Sequence, residues 1–306
     1  MNNIKNVIIF PICGFANRLR FINSCVYLFR QYDITPSIYW LPSKECNINH
    51  SEIFQEIKGL KFIDNIPENY LFFGHIHLAH VIDKLENLNN ENPNGKDTLI
   101  VTGSHEYKPV RVNDLTFISH KQKLYENIIW NKNILAKILE VKNKLGINDN
   151  NYITLHYRCL DNRFDSNDLK NSSNINFNNN SPISEFERYV SKISNSKIIL
   201  ISNKNDVVID NVLRISNEEC DRNKTDSMIQ SIIEFKIMCD SRLIIGSYFS
   251  SFSDEASFFN LIPKVIPYDI RKIKINSPYH CSGISFINGI LALNYSTNRI
   301  IDCLEF

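Results

Sequence analysis

A glycine-containing turn near the N-terminus is the first place where residue types and spacing indicate chemistry. The sequence CGFANRLR, residues 13–20, directly follows the apolar run Val7–Phe10. Gly14 allows close approach of a backbone, and the N–H groups and positive dipole end of a following helix could receive an anion. Asn17 and Arg18 would add side-chain donors. An ordinary strand-to-helix turn with surface arginines explains the same residues, because a full GxGxxG fingerprint is absent.

A second group, the sequence LHYRCLD at residues 155–161, lies at the end of the apolar run Tyr152–His156. Ligands of open α/β sheets bind beyond the carboxyl ends of the strands. Because His156 and Arg158 are two residues apart, their side chains point the same way on an extended chain, and an arginine fork there could hold a phosphate. Asp161 would orient that arginine or bind a hydroxyl. A surface pair of Arg158 and Asp161 is the other interpretation.

A third group is rich in serine and follows another apolar run. In the sequence IIGSYFSSFSDE, residues 244–255, the run ends at Gly246 and four serines follow within seven residues. Ser253 with Asp254 or Glu255 predicts a helix N-cap and an acidic first turn. The hydroxyl and backbone N–H groups would form a neutral cradle for a phosphate. Helix capping alone accounts for one of these serines but not for all four.

Other groups carry weaker signals. His75, His77 and His80 could ligate a metal, but they have no acidic or thiol partner at metal spacing, so we expect no metal. Asp165 and Asp168 form no DxD pair of the kind that holds a divalent ion in sugar-nucleotide sites. The sequence contains no GxSxG elbow and no P-loop.

Apolar runs alternate with helical patterns along the chain, which favours an α/β fold with mainly parallel sheets. The strands are rich in β-branched residues and do not alternate strictly, as is typical of buried parallel strands. The predicted strands are Val7–Phe10, Ser37–Trp40, Thr98–Thr102, Tyr152–His156, Lys197–Ser202, Leu243–Gly246 and Lys264–Ile266. The predicted helices are Ala16–Gln31, Gln122–Leu145, Ile183–Ile193, Ser227–Asp240 and Ser253–Phe259.

A polar break at residues 143–151 follows a long predicted helix and marks the expected domain boundary. The sequence therefore predicts two domains, residues 1–148 and 149–306. The tail, residues 277–306, would form a hairpin or pack back on the N-terminal domain. Two Asn-rich stretches predict surface loops, at residues 87–95 and 171–180.

Composition limits the class of protein. The chain has 306 residues, 43% hydrophobic, and its 34 Lys and Arg against 33 Asp and Glu give a net charge of +1. This is globular composition with no hint of a basic nucleic-acid-binding face. Pro11 and Gly14 interrupt the N-terminal apolar run, and no run approaches the roughly 20 apolar residues of a membrane span, so neither a signal peptide nor a membrane helix is expected. The eight scattered cysteines indicate reduced thiols and a cytoplasmic location.

Taken in order, the three groups resemble motifs of the fucosyltransferase superfamily that uses GDP-fucose. This superfamily includes bacterial nodulation and alpha-1,6 enzymes, alpha-1,2 enzymes and protein O-fucosyltransferases. Residues Gly14 to Asn17 resemble the N-terminal Gly-x-x-Asn turn. His156 and Arg158 resemble the His-x-Arg motif, with Asp161 at the following acidic position. Residues 244–256 resemble the strand–Ser-Ser–helix motif.

Further segments fit the same resemblance. Residues Pro182–Phe186 match a Pro-Ile-x-x-Phe segment, and Asn203 ends the next predicted strand. The helix before the Ser-Ser motif normally carries an acid, which Glu234 matches best and Asp226 second. Residues Trp40–Phe54 resemble the N-terminal half of bacterial and viral members.

The resemblance implies a GT-B-like architecture, two Rossmann-like domains with a cleft between them, the second holding the nucleotide sugar. It implies an inverting transfer of fucose from GDP-fucose to a hydroxyl of a glycan or protein, with no metal cofactor. The resemblance places Arg158 and Asn17 in catalytic roles, and Arg158 would neutralise the leaving diphosphate together with the start of the serine-rich helix. The donor-binding residues that it implies are Gly14, His156, Asp161, Asn203, Glu234, Ser250, Ser251 and Phe252.

The sequence also departs from the family pattern. Cys159 stands where the alpha-1,6 and nodulation enzymes carry a second arginine, and Phe15 and Ala16 stand where glycine is frequent. Arg18 or Arg163 could substitute for the missing arginine. Two other interpretations therefore stay open: the same fold with another nucleotide-sugar donor, and a non-catalytic relative that binds a glycan or nucleotide.

Overall fold

The computed structural model describes residues 4–74, 92, 94–104, 106, 114–159, 181–248 and 250–267, and the backbone of residues 284–287 and 290–293. The structural statements that follow concern these residues. Several sequence predictions lie outside them: the histidines at 75, 77 and 80, Asp161, Arg163, the loop at residues 171–180 and most of the loop at residues 87–95.

The chain divides into two compact units. Met1–Leu135 together with Arg222–Ile229 forms the first unit, and Ala136–Asp221 together with Gln230–Phe306 forms the second. The division falls within the helix Lys132–Leu145, whereas the sequence placed it after that helix, at residue 148. A short segment from the second half of the sequence also belongs to the first unit, which no local pattern in the sequence indicated.

The first unit contains a parallel sheet. Its strands are β1 Asn6–Pro11, β2 Ser37–Ile38, β3 Phe54–Ile57, β4 Lys61–Phe62, β5 Leu71–Phe73, β6 Thr98–Gly103 and β7 Ile128–Trp130. Five of them pair in the order β4-β2-β1-β6-β5, every pair parallel, and β3 pairs with β7 antiparallel. The helices are α1 Phe15–Arg30, α2 His50–Ile53, α3 Asp114–Glu126 and the start of α4 Lys132–Leu145.

The predicted helix Gln122–Leu145 is wrong, because the chain forms two helices there with β7 between them. Trp130 of β7 packs against Phe54, with their ring centroids 5.8 Å apart, so this segment is extended and buried. Asn131 then starts α4, since its Oδ1 accepts a hydrogen bond from the N–H of Asn133 at 2.8 Å. Asparagine is a favoured N-cap residue, and it starts a new helix here.

The second unit is built on a seven-stranded sheet. Its strands are β8 Tyr152–Tyr157, β9 Lys197–Ser202, β10 Leu213–Arg214, β11 Leu243–Gly246, β12 Lys264–Ile266, β13 Ile284–Ile287 and β14 Ile290–Leu293. The order is β10-β9-β8-β11-β12-β14-β13, parallel as far as β12. The tail forms an antiparallel hairpin, β13–β14, which continues this sheet. The helices are α5 Ile183–Val190, α6 Thr225–Cys239 and α7 Ser251–Phe259.

Strand β8 sends alternate side chains to opposite faces of this sheet, as an extended chain must. On one face, its odd-numbered residues join a hydrophobic cluster with Phe186 of α5. On the other face, the Tyr152 hydroxyl donates to the carbonyl of Ile237 in α6, and the His156 ring contacts Phe252 of α7. Strand β8 contributes Ile153, Leu155 and Tyr157 to this cluster, and Cys159, which follows the strand, belongs to it too.

A buried carboxylate joins the elements at the amino end of β8. Asp240 follows α6, and its carboxylate accepts hydrogen bonds from Lys142 Nζ at 2.6 Å, from Lys236 Nζ and from Asn260 Nδ2 at 3.2 Å. Its carbonyl accepts the N–H of Asn150 at 2.8 Å. These bonds hold the C-terminus of α6 to α4 and to the chain that enters β8.

We expect Asp240→Asn to lower the free energy of unfolding by about 2–4 kcal/mol, because the largely buried ammonium group of Lys236 loses its carboxylate and that of Lys142 retains only the exposed Asp149. The matched control is Asp149→Asn. Asp149 also pairs with Lys142, but its side chain is 65% exposed, so the expected loss is below about 1 kcal/mol. Urea denaturation of both variants checks this, and equal losses would contradict it.

Candidate functional site

Three strands of the second unit bring polar residues to the same edge of its sheet. In the parallel register, His156 of β8 lies beside Gly246 of β11, and Tyr157 lies beside Ser202 of β9. The residues that leave these strands are therefore neighbours. Two of the three groups found in the sequence, which follow β8 and β11, thus meet at the carboxyl end of the second sheet.

Ser247 joins the ends of β8 and β11. Its hydroxyl accepts the N–H of Arg158 at 2.8 Å and donates to the carbonyl of His156 at 3.2 Å. Its own N–H donates to that carbonyl at 2.9 Å. One serine therefore holds the backbone at both ends of the His-x-Arg segment.

Asn203 binds the backbone N–H of the residue that follows Arg158. Its Oδ1 accepts the N–H of Cys159 at 2.8 Å, and its carbonyl accepts the N–H of Cys220 at 3.3 Å. Because the N–H groups of Arg158 and Cys159 are both bound, the backbone that carries the half-buried Arg158 side chain has a defined position. The predicted donor-binding residue Asn203 thus orders the arginine segment through its side-chain oxygen.

The serine-rich segment forms the N-terminus of α7, and the helix begins two residues earlier than the sequence predicts. Ser250 is the N-cap, with φ −85° and ψ 106°, and the helix begins at Ser251. The Ser250 carbonyl accepts the N–H of Asp254 at 3.0 Å and the hydroxyl of Ser253 at 3.3 Å. The predicted N-cap Ser253 is therefore wrong, because its side chain is buried inside the first turn. Ser251 and Phe252 are the first helical residues, whose N–H groups lack partners within the helix.

Gly246 and the buried Lys264 pack against this segment. Lys264 of β12 is completely buried, and its Nζ donates to the carbonyl of Ser247 at 3.4 Å and pairs with Asp254. A Cβ on Gly246 would lie 2.7 Å from Lys264 Cε and 2.8 Å from Ser253 Oγ. Glycine at 246 is thus required for space, since both neighbours are held in place.

His156 is a neutral, buried ring at this edge. It is 4% exposed, and its ring centroid lies 5.4 Å from that of Phe252. Burial, together with the charges of Lys264 and Arg158, lowers the pKa of His156 well below its ordinary value. Its Nδ1 has no hydrogen-bond partner among the described residues. A neutral imidazole in this position can bind a ligand but carries no charge to offer a phosphate.

Glu234 lies on α6 in the second unit, and Gln230 Nε2 donates to its Oε1 at 3.3 Å. Burial raises the pKa of Glu234 to about 7, and the bond from Gln230 and the charge of Arg214 oppose this shift. The alternative acid, Asp226, is exposed in the first turn of α6, and that turn belongs to the first unit. Of the two acids, only Glu234 is in the same unit as His156.

Gly14 and Asn17 lie at the N-terminus of α1 in the first unit. Gly14 is the N-cap, with φ −69°, and an added Cβ would meet its nearest neighbour, Arg222 Nη1, at 3.6 Å. A Cβ at residue 14 would therefore fit without a steric clash. The residue in the left-handed region is Cys13, with φ 66°. Asn17, on the first turn of α1, is half-buried.

Arg18 is a structural residue, so the expectation that it offers donors to an anion is corrected. It is 1% exposed, and its Nε donates to the carbonyl of Cys13 at 2.9 Å. Its Nη1 donates to the carbonyl of Leu41 at 2.7 Å and its Nη2 to Ser43 Oγ at 2.9 Å. The guanidinium also lies over the Trp40 ring, 4.6 Å from the centroid. Arg18 therefore connects the start of α1 to the segment that follows β2, within the first unit.

Cys159, at the position of the family's second arginine, points into the protein. It is 8% exposed and belongs to the hydrophobic cluster, with its Sγ 3.9 Å from Ser202 Oγ. Burial raises the pKa of the thiol, so it is protonated near neutral pH. A charged side chain at this position would face the core, because Cys159 follows the alternation of β8.

Sequence reasoning missed three residues that shape this edge. Ser247 was seen only as part of a serine cluster, and Ser181, whose Oγ accepts the N–H of Tyr248 at 2.9 Å, was not singled out. Lys264 could have been found, because a lysine at the start of a buried strand is unusual. Across the described residues, no three His, Cys, Asp or Glu side chains are grouped as a metal site needs. No helix among the described residues is long and apolar enough to cross a membrane.

Comparison with known proteins gives structural matches only. No family model matches the sequence, and no curated protein matches it. NodZ alpha-1,6-fucosyltransferase soaked with GDP-fucose matches with a TM-score of 0.55 at 14% identity, over 86% of this chain and 94% of that chain. POFUT1 in complex with GDP matches with a TM-score of 0.53 at 13% identity, over 83% and 94%. Arabidopsis thaliana FUT1, as a variant in complex with GDP, matches with a TM-score of 0.55 at 10% identity, over 86% and 70%.

These matches show the fold. The chain has an α/β fold with parallel sheets that corresponds to the GT-B-like fold of fucosyltransferases, and the predicted fold class is confirmed. At 10–14% identity they say nothing about individual side chains.

The space around Gly246 gives a direct test of the packing. We expect Gly246→Ala to lower the free energy of unfolding by about 1–3 kcal/mol, because the new methyl group overlaps Lys264 and Ser253. The control is Gly14→Ala, where a Cβ fits and only the N-cap preference is lost, at a cost below about 1 kcal/mol. Chemical denaturation measures both, and a Gly246 variant as stable as the wild type would contradict the geometry.

Glu234 should make stability depend on pH. Since its pKa is about 7 when folded and near 4.5 when unfolded, the folded protein retains a proton that the unfolded chain releases, and stability falls as pH rises through this window. Glu234→Gln removes this loss. We expect the stability of the variant relative to the wild type to increase by about 2–3 kcal/mol from pH 5 to pH 8. A difference that is constant over this range would show that Glu234 ionises normally.

Proposed function

We propose that this protein is a glycosyltransferase that moves fucose from GDP-fucose to a hydroxyl of a glycan or protein. The observation that carries the proposal is the joint placement of Arg158 and the N-terminus of α7, which Ser247 holds at one edge of the second sheet. The fold supports it, because structures with this fold include fucosyltransferases with GDP or GDP-fucose bound.

The chemical problem in such a transfer is the charge of the leaving group. The acceptor oxygen forms a bond to C1 of fucose while the bond from C1 to the diphosphate oxygen breaks, and its electron pair leaves with GDP. The acceptor hydroxyl releases its proton to the solvent, so that the products are the fucoside, GDP and one proton. Arg158 and the first N–H groups of α7 offer positive charge where this negative charge develops. We therefore propose that the transfer needs no metal ion and, as a single displacement, inverts the configuration at C1.

The remaining predicted residues would bind the donor. Glu234 and His156 are proposed to contact the base or ribose, because a carboxylate and a neutral imidazole can accept or exchange hydrogen bonds with these groups. Asn203 orders the arginine segment and is proposed to act from the same edge. The roles of Gly14 and Asn17 stay predictions from the resemblance, with Asn17 placing reacting groups and not removing a proton.

The buried Cys159 favours one competing function. Because no second arginine projects from this position, the protein could bind a nucleotide or glycan without transferring a sugar. A different nucleotide-sugar donor is the other alternative with the same fold. Nucleotide preference and turnover separate these functions.

The test is a thermal-shift titration of the wild type with GDP, UDP, CMP and ADP, with and without EDTA. At 100 times its dissociation constant, a ligand stabilises the folded state by roughly 2.7 kcal/mol. We expect a shift selective for GDP that EDTA does not remove and that Arg158→Ala abolishes. The control is Arg188→Ala, since Arg188 is exposed on α5 and pairs with Glu185.

Transfer from GDP-fucose to an acceptor should then fall about 10²–10³-fold in Arg158→Ala, by analogy with the loss of one oxyanion donor. A shift with UDP alone would retain the nucleotide site and change the donor. GDP binding without turnover on any acceptor would favour the binding protein. No shift with any nucleotide would overturn the proposal.

A further inference from the structure

The asparagine-rich loop before β6 contains a pair of residues whose chemistry the proposed function does not use. Asn94 is followed directly by Gly95, and both residues are exposed. Gly95 has a φ of 61°, in the left-handed region that glycine adopts without strain. Because glycine has no Cβ beside its N–H, the backbone nitrogen of Gly95 is open to approach by the Asn94 side chain.

The reaction open to this pair is deamidation, which makes asparagine a thermolabile residue. The Gly95 nitrogen loses its proton and forms a bond to Cγ of Asn94, while the Cγ–Nδ2 bond breaks and ammonia leaves with that proton. The resulting succinimide ring adds one water molecule. Water cleaves the new Cγ–N bond to give aspartate, or the original peptide bond to give isoaspartate. Overall, an amide and water become a carboxylic acid and ammonia, with no oxidation or reduction.

The loop holds the nitrogen that must attack. The Gly95 N–H donates to the carbonyl of Asn92 at 3.1 Å. Asn92 is 5% exposed, and its side chain closes the loop: its Nδ2 donates to the carbonyl of Lys96 at 2.7 Å, and its Oδ1 accepts the Lys96 N–H at 2.9 Å. Lys96 Nζ donates to the carbonyl of Tyr70 at 2.6 Å, which ties the loop to the segment before β5. Since the Gly95 N–H must leave its partner before it can react, the loop has to open first.

We propose that Asn94 is a site of spontaneous deamidation, and that the Asn92 side chain limits the rate by keeping the loop closed. Water is the co-reactant, and the products are aspartate and isoaspartate at position 94. Asn92 is a positioning residue, because it acts on the reacting nitrogen through the loop. The modification needs no nucleotide and is therefore independent of the proposed function.

The modification changes both charge and backbone at the entry to β6. Loss of the amide adds one negative charge to a chain whose net charge is +1, and a net charge near zero favours self-association. Isoaspartate routes the main chain through the side chain, which adds a methylene group to the backbone shortly before Asp97. The Asp97 carbonyl accepts the N–H groups of Lys5 and Asn6 at 2.8 and 3.1 Å. A longer backbone therefore enters the point where β6 begins to pair with β1.

The experiment incubates the folded wild type, Asn92→Ala and Asn94→Gln at mildly alkaline pH in water labelled with a heavy oxygen isotope. Tryptic digestion in ordinary water and fragment mass spectrometry then follow residues 85–96. We expect gradual conversion of Asn94 with one labelled oxygen in each product. Conversion should be about fivefold faster or more in Asn92→Ala, which loses two hydrogen bonds that oppose opening. Asn94→Gln should stay unmodified at position 94, because its longer side chain would have to close a larger ring.

Asn131→Ala is the matched control. Asn131 lies in the same unit, and its side chain also makes two bonds to the backbone, to the Ser51 carbonyl and from the Asn133 N–H, both at 2.8 Å. This variant should leave the rate at Asn94 within about twofold of the wild type, because its bonds lie outside the loop. The wild type denatured in urea gives the rate of the open chain, which should exceed that of the folded protein by about fivefold or more.

Each outcome bears on one part of the proposal. Absence of conversion in the folded wild type, over a time in which the denatured chain converts fully, overturns Asn94 as a site. Equal rates in the folded wild type and Asn92→Ala overturn the role of Asn92, as does an equal acceleration in Asn131→Ala, since general loss of stability would then explain it. If Asn92→Ala does not fold, equal rates in the folded and denatured wild type still overturn control by the closed loop.

Discussion

The parallel pairing of β8 with β9 and β11 is the constraint on which the candidate site depends. Parallel strands end at the same edge of a sheet, so the chain that leaves each of them emerges beside the others. Ser247 turns this proximity into a defined arrangement, because one hydroxyl and one N–H bind the backbone on both sides of Tyr157. Without this register, Arg158 and the start of α7 would have no fixed position relative to each other.

Burial decides which charges this edge can offer to a ligand. His156 is deep enough that its pKa is well below the ordinary value, so the ring is neutral. Lys264 is completely buried, and its Nζ pairs with the carboxylate of Asp254. Arg158 is half-buried at the edge, and we propose that its planar guanidinium binds the diphosphate. In a chain whose net charge is only +1, the positive charge that the proposed function requires would therefore come from a few placed groups and a helix end.

Two arginine positions show how tertiary contacts override expectations from residue type. Arg18 follows a glycine turn that suggested an anion site, yet three of its donors are bonded within its own unit and its face lies on Trp40. Cys159 stands where the family resemblance expects an arginine, and strand alternation turns it into the core. Arg18 contacts Trp40, Leu41 and Ser43, which are distant in the chain. The direction of the Cys159 side chain is set by strand alternation. Local spacing alone therefore could not predict the surroundings of either residue.

The sequence by itself determined the α/β class, the seven strands predicted for the two sheets and the two groups that meet at the edge of the second sheet. These follow from apolar runs and local turn chemistry, which act over a few residues. Only the tertiary structure decided that residues 122–145 break into two helices around β7, that α7 begins at Ser251 and that Lys264 supports the loop above Gly246. Each of these depends on a partner far away in the chain, because burial and packing are properties of the assembled fold and not of the local sequence.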